Sequence, residues 1–218
     1  MSAEWPLRGL YLVTPDEPDT ATLLARVGRA LAARPVLLQY RNKLLDAVGR
    51  RTQAAEVLAL CRAAGVPMVV NDSVELALDI AADGVHLGRD DGDPAAARAR
   101  LGAGRIIGVS CYDEWARAVA GARAGADYLA FGAMFASPTK PAAVRAPLEL
   151  LGRARRELGR PVAAIGGITA ENAAQLVAAG ADLLAVISDV FAAPDPAARG
   201  AEYAAAFRAG PRPAARPQ

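Results

Sequence analysis

The stretch Val69-Val-Asn-Asp-Ser-Val-Glu-Leu-Ala-Leu-Asp-Ile-Ala-Ala-Asp-Gly-Val-His-Leu-Gly-Arg-Asp-Asp91 reads as strand, helix, strand, with a carboxylate just beyond each strand. Val69 and Val70 end an apolar run that opens after Pro67, and Asn71-Asp72-Ser73 punctuates it. Val74, Leu76, Ala77, Ile80 and Ala81 then fall at helical spacing. Asp83-Gly84 closes the helix, and Val85-His86-Leu87 restarts a strand before Gly88. Asp72 and Asp91 are therefore expected at the same end of two neighbouring parallel strands. Two hard oxygen ligands at one rim suit a magnesium ion that also keeps waters and substrate phosphates.

Outward from this unit the same grammar repeats. Strands are expected at 9–14, 36–41, 67–71, 84–87, 106–110, 128–132, 162–166 and 183–187, separated by alanine-rich amphipathic segments. Several of those helices end in a near-repeat, such as Ala-Gly-Ala-Asp at Asp127 and again at Asp182, the usual route from a helix into a buried strand. Eight units predict a single-domain α/β fold, a (β/α)8 TIM barrel over 1–209. A doubly wound sheet is the competing arrangement, because alternation alone does not distinguish a closed sheet from an open one. The proline-rich tail 210–218 is expected to be disordered.

Composition narrows the classes. The net charge of +2 is scattered, with arginines interleaved with alanine on helix faces, which argues against nucleic-acid binding. No uncharged apolar run is long enough for a membrane span, and Met1-Ser-Ala-Glu-Trp-Pro-Leu-Arg8 lacks the build of a signal peptide. Cys61 and Cys111 have no metal-like spacing, so a reduced, cytoplasmic protein is expected.

Barrel chemistry gathers at the C-terminal ends of the strands. After strand two, Gln39, Arg41 and Lys43 share one strand face; three donors facing a cavity favour an anion with several oxygens, such as a diphosphate. A polar loop with Lys43 in solvent is the plainer alternative. Asp72-Ser-Val-Glu75 has the form of a capping box, so Asp72 reads equally as a helix cap or a metal ligand. Asp93 before Pro94 is the natural N-cap of the next helix, which leaves Asp90 and Asp91 without a structural task. His86, set in an apolar strand, reads as a hydrogen-bonded core residue ahead of a catalyst. Ser110 ends strand five, where it either touches ligand or begins the next helix, and Cys111 reads as packing.

Beyond strand six, Ser137, Thr139 and Lys140 offer two hydroxyls and a cation among prolines, either a phosphate-gripping loop or an ordinary surface turn. The stretch 142–147 after it is expected to be a mobile lid. Ile165-Gly-Gly-Ile-Thr169 and Ala185-Val-Ile-Ser188 end strands seven and eight, where barrels commonly bind phosphate. Two anion sites suggest joining two phosphorylated molecules, or displacing diphosphate from one by the other.

From Leu10 to Ser188 the chain closely resembles the thiamine phosphate synthase family. The resemblance rests on Gln39-x-Arg41-x-Lys43, Asn71-Asp72, His86-x-Gly88-x-x-Asp91, Gly108-Val-Ser110, Pro138-Thr-Lys140, Ile165-Gly-Gly-Ile168 and Val186-Ile-Ser188. It implies a transferase that couples hydroxymethylpyrimidine diphosphate to hydroxyethylthiazole phosphate, giving thiamine phosphate and diphosphate. The course it implies is dissociative: diphosphate leaves, and the thiazole nitrogen captures the pyrimidine-methyl cation. By the resemblance Asp72 and Asp91 hold Mg2+. Gln39, Arg41, Lys43, Asn71 and Lys140 grip the diphosphate, and Ser110 lies near the pyrimidine. Ser137, Thr139, Gly167 and the amides of Ile187 and Ser188 hold the thiazole phosphate. Lys140, Arg41, Lys43 and Ser110 are the residues expected to act in catalysis. Homo-oligomerisation is compatible with the sequence and is not specified by it.

Three positions depart from the family pattern: Asn42 in place of a frequent glutamate, Arg89 in place of a frequent glutamine, and Ser137 in place of the usual threonine. Asn42 is expected to point away from Arg41 and Lys43 and to matter little. Arg89 either grips phosphate or points outward. Two rival readings are a thiazole tautomerase-like isomerase of the same fold and a non-catalytic barrel that binds thiamine precursors. The tautomerase has a histidine where this chain has Tyr112, and a binding barrel has no need of both carboxylates and Lys140.

Overall fold

The structure is a computed structural model and describes residues 8–136 and 144–210. Eight parallel strands close in sequence order into a barrel: β1 (Gly9–Val13), β2 (Leu37–Tyr40), β3 (Met68–Asn71), β4 (Gly84–Leu87), β5 (Ile106–Tyr112), β6 (Tyr128–Phe131), β7 (Val162–Ile165) and β8 (Leu183–Val186). Closure is made by β1 pairing with β8, Gly9 opposite Leu183 through Leu12 opposite Val186. The open-sheet alternative is thereby removed. The fold is a (β/α)8 TIM barrel in one domain.

The connecting helices are α1 (Thr20–Ala30), α2 (Ala47–Ala63), α3 (Val74–Asp79), α4 (Pro94–Leu101), α5 (Trp115–Arg123), α6 (Glu149–Leu158) and α7 (Ala170–Ala179). A short α8 (Ser188–Phe191) and a longer α9 (Pro196–Ala209) follow β8. Strand alternation sorts the side chains. Leu10, Leu12, Leu38, Tyr40, Val70, Val85, Val109 and Leu129 face outward and form one buried layer with the helices. Tyr11, Val13, Leu37, Val69, Ile106, Tyr128, Ala163 and Leu183 fill the interior. Gly108 in β5 makes this filling possible, because a Cβ there would overlap the Tyr128 ring.

The expected strands are all present, most ending one residue earlier. β5 runs on to Tyr112, through a register shift between Ser110 and Tyr112 against β6. Tyr112 sits at φ 56, in left-handed territory. The expected disordered tail lies, apart from Gly210, outside the described residues. Among the described residues no helix is long and apolar enough to cross a membrane.

Candidate active site

The two carboxylates converge as the strand order requires. Asn71 pairs with His86 across β3 and β4, and the Asp72 N–H continues the ladder onto the His86 carbonyl at 2.8 Å. The capping ambiguity is resolved by geometry. Ser73 caps α3, its hydroxyl accepting from the Leu76 N–H at 3.1 Å, so Asp72 is released from that task. Asp72 stands at φ 67, a conformation that costs a non-glycine residue energy and that marks functional positions. Asp93 caps α4 with Pro94 at its first turn, as expected. Asp91 is half-buried while Asp90 is exposed, which selects Asp91 as the inward carboxylate. Asp91 Oδ2 accepts the Gly88 N–H at 2.7 Å.

The Asp72 and Asp91 carboxyls are neighbours that act on each other electrostatically. Burial first, and then the neighbouring Asp91, push the Asp72 carboxyl up to about 6, against the opposing pull of Lys43 and Arg41. Two carboxylates held together at a rim with cations nearby form a place where a divalent cation relieves repulsion. Among the described residues there is no cluster of three or more acidic, histidine or cysteine side chains able to hold a metal alone. Two carboxylates with the remaining positions left to water and phosphate match the sparse protein ligation of magnesium.

Arg41 and Lys43 reach the mouth by a route the sequence pattern does not show. β2 ends at Tyr40, so alternation places Gln39 inside but does not set the two cations. Thr14, fully buried, does so instead. Its hydroxyl accepts the Arg41 N–H at 2.8 Å and donates to the Arg41 carbonyl at 2.7 Å. Asp16, in the loop after β1, then accepts from the Arg41 guanidinium and from the Lys43 N–H, each at 2.8 Å. Asn42 is buried, and it matters more than expected. Its amide donates to the Glu17 carbonyl at 2.7 Å and to Gln53 at 2.8 Å, and its oxygen accepts the Leu44 N–H, which locks the loop that presents both cations. A cavity of about 730 Å3 takes in Arg41, Lys43, Asn71 and Asp72 and runs outward between α2 and α3.

Inside the barrel a continuous hydrogen-bonded chain joins five side chains from five strands. Gln39 donates to the Tyr11 hydroxyl at 2.6 Å, and Tyr11 and Tyr128 hydroxyls meet at 2.7 Å. Tyr128 meets His86 Nδ1 at 2.8 Å, and His86 Nε2 meets the Ser110 hydroxyl at 2.8 Å. Burial lowers the His86 ring to about 4 and raises both tyrosines above their ordinary value. His86 is thus the hydrogen-bonded core residue the sequence suggests, and it also orients Ser110 at the mouth. Cys111 is buried and its thiol is pushed up to about 12, which fits its reading as packing.

Arg89 points away from the carboxylates. It pairs with Glu114 and lies over the Tyr112 ring at 5.0 Å, while its N–H donates to the Tyr112 hydroxyl at 3.3 Å. At the far rim, Gly166 and Gly167 have φ 101 and 63, and a Cβ on either would strike the 133–136 segment. The glycine pair therefore serves close packing. Asn172 fixes this turn by donating to the Gly167 carbonyl at 2.9 Å and accepting the Thr169 N–H at 3.0 Å. Ile187 and Ser188 open α8, which Asp189 pins to Tyr203 of α9 at 2.7 Å. Ser137, Thr139 and Lys140, and the 142–143 part of the expected lid, lie outside the described residues. The rest of that stretch is tied to Ala133 by backbone hydrogen bonds of Val144 and Ala146.

Comparison with known proteins identifies the family. The chain is 68% identical over 203 residues to the thiamine-phosphate synthase of Aromatoleum aromaticum, covering 93% of this chain and 98% of that one. It is 67% identical over 201 residues to the thiamine-phosphate synthase of an Azoarcus species, covering 92% and 98%. Among solved structures, thiamine phosphate pyrophosphorylase from Pyrococcus furiosus superposes with a TM-score of 0.81 at 30% identity, covering 93% of this chain and 96% of that one. The family model described as thiamine monophosphate synthase matches residues 10–190, and the chain belongs to that family.

Proposed function

We propose that this thiamine phosphate synthase transfers the hydroxymethylpyrimidine group from its diphosphate to the nitrogen of hydroxyethylthiazole phosphate, in a magnesium-dependent reaction. The observation that carries the reading is the Asp72–Asp91 pair, set beside Arg41 and Lys43 at one rim of the barrel. Asp72 and Asp91 would hold Mg2+, which when bound supplies neutralisation of charge on the departing diphosphate. Gln39, Arg41, Lys43, Asn71 and Lys140 bind the same group, and Ser110 lies near the pyrimidine. Gly167, the amides of Ile187 and Ser188, and the hydroxyls of Ser137 and Thr139 hold the thiazole phosphate in line.

The bond from the pyrimidine methylene to the diphosphate oxygen breaks with its electron pair going to the diphosphate. The thiazole nitrogen lone pair then forms the new carbon–nitrogen bond. This course needs fixed cations and alignment and no strong base. The neighbourhood supports it: His86 is held neutral with both ring nitrogens engaged, and Cys111 is buried and protonated. The buried free cysteines and the phosphorylated substrates support a cytoplasmic setting.

The test combines purified protein, both substrates and magnesium, and follows thiamine phosphate by mass spectrometry, with a parallel chelated reaction. Product that disappears with chelator is expected. Product unaffected by chelator would remove the metal role of Asp72 and Asp91, and no product with both substrates bound would remove the transferase reading.

A further inference from the structure

Arg117 breaks a local rule. It lies in the first turn of α5, where the helix dipole disfavours a cation, and that helix has no side-chain hydrogen bond at its N-cap, Glu114. A residue that contradicts its local preference without local compensation marks a position set by something else. Arg117 is half-buried. Its Nε donates to the Ser110 carbonyl at 2.6 Å and its Nη2 to the Gly88 carbonyl at 2.7 Å. Its guanidinium also faces the Tyr112 ring at 5.8 Å.

The two carbonyls sit where the sheet stops holding itself together. The β4–β5 ladder ends with Leu87 opposite Val109, and Gly88 and Ser110 are the next residues on each strand. Just beyond, β5 shifts register and Tyr112 turns left-handed. The planar fork of one arginine therefore spans a gap that no backbone bond closes. Each end of this bridge leads to the site through a single further contact. The Gly88 peptide accepts from Arg117 on its carbonyl, and the Gly88 N–H donates to Asp91. Ser110, held by its carbonyl, presents its hydroxyl to His86.

We propose that Arg117 is a positioning residue that sets Asp91 and the Ser110 hydroxyl relative to each other by binding the carbonyl oxygens of Gly88 and Ser110. The inference rests on the reading of Asp91 as a magnesium ligand. It differs from that reading in assigning the geometry of the loop to a helix residue that touches neither metal nor substrate. Tyr112 and Arg89 complete the support: Arg89 and Arg117 both approach the Tyr112 ring, and the Tyr112 hydroxyl accepts the Arg89 N–H within the 88–91 loop.

The experiment compares wild type, Arg117→Met and Arg117→Lys. Mn2+ binding is measured by electron paramagnetic resonance in the presence of inorganic diphosphate, alongside the KM of each substrate and the thermal midpoint. Arg117→Met is expected to weaken Mn2+ binding roughly tenfold or more, the scale seen when the residues behind a metal ligand are lost. It should raise the KM for the pyrimidine diphosphate and leave that for the thiazole phosphate unchanged. Arg117→Lys, able to reach one carbonyl at a time, should fall between the two; it carries the test if the methionine variant does not fold. Mn2+ affinity in the variants equal to wild type would overturn the proposal. So would a parallel rise in both KM values. A wild type that binds no Mn2+ would instead remove the metal reading itself.

Discussion

The Gly88 N–H and the Asp91 carboxylate meet at 2.7 Å, and a Cβ on Gly88 would sit 2.7 Å from that same Asp91 oxygen and 3.3 Å from the Tyr112 hydroxyl. Gly88 is not among the residues with positive φ, so alanine is permitted by the backbone and excluded by what lies beside it. Gly88→Ala is therefore expected to displace Asp91 while leaving the barrel folded. Metal affinity and activity should fall roughly 10- to 100-fold, with a thermal midpoint close to wild type. Mn2+ binding and calorimetry on the same sample check this, and a variant that melts early without losing metal affinity would contradict it.

Asp16 holds the Arg41 guanidinium and the Lys43 amide. Asp16→Ala should raise the KM for the pyrimidine diphosphate about tenfold, since the binding side chains lose their fixed orientation. Stability should change by about 1 kcal/mol or less, because the Asp16–Arg41 ion pair is partly solvent-exposed. Steady-state kinetics with each substrate varied in turn separate this from a general loss, which would raise both KM values.

His86 makes stability depend on pH. Its folded value of about 4 lies below the ordinary 6.5, so the unfolded chain takes up a proton before the folded one does. The stabilisation is complete above 6.5 and is lost as pH falls towards 4, by roughly 3 kcal/mol in total. Urea unfolding from pH 7.5 down to 4.5 should show this slope, and His86→Gln should flatten it.

Asp72 has the opposite sign. Its carboxyl is raised from 3.8 to about 6, so what it contributes to stability is present below 3.8 and is lost as pH rises through 6. Above pH 6 the Asp72 carboxyl is ionised, the form that the proposed metal site requires. Mg2+ with diphosphate should therefore raise the thermal midpoint by several degrees at pH 7.5, the shift expected of a ligand well above its Kd. At pH 5 the shift should be much smaller, and Asp72→Asn should remove the contrast.

Much of this was readable from the chain because the barrel rests on local signals. Glycine after each helix, apolar strands and the order of the units name the fold, and one strand–helix–strand unit brings Asp72 and Asp91 together. Closure was not local: it depends on Gly9–Leu12 meeting Leu183–Val186. The cap ambiguity at Asp72 could not be resolved from spacing, since Asp72 and Ser73 are both capping residues, and only the hydrogen bond from the Leu76 N–H decides it. Asp16, Tyr11 and Tyr128 were missed because their partners lie far along the chain, Tyr11 and Tyr128 being 117 residues apart, and Arg117 because its partners are backbone carbonyls, which no residue type announces. A signal for the tyrosines existed. Each is a polar-tipped ring at an inward position of an otherwise apolar strand, and Gly108 leaves room for one of them. Arg117 also left a trace, as a cation in a helix's first turn.

The Gln39–Tyr11–Tyr128–His86–Ser110 chain has a bearing on fidelity. A pyrimidine-methyl cation reacts with any lone pair that reaches it, water included, and the alcohol so formed is wasted substrate. Along this run the hydroxyls and both His86 ring nitrogens are hydrogen-bonded to one another, so that, on the proposed dissociative course, the barrel wall holds them less available to the cation. Tyr128→Phe opens that wall between Tyr11 and His86. The ratio of hydroxymethylpyrimidine alcohol to thiamine phosphate should then rise even where turnover survives, and an unchanged ratio would show that water is excluded from the other side.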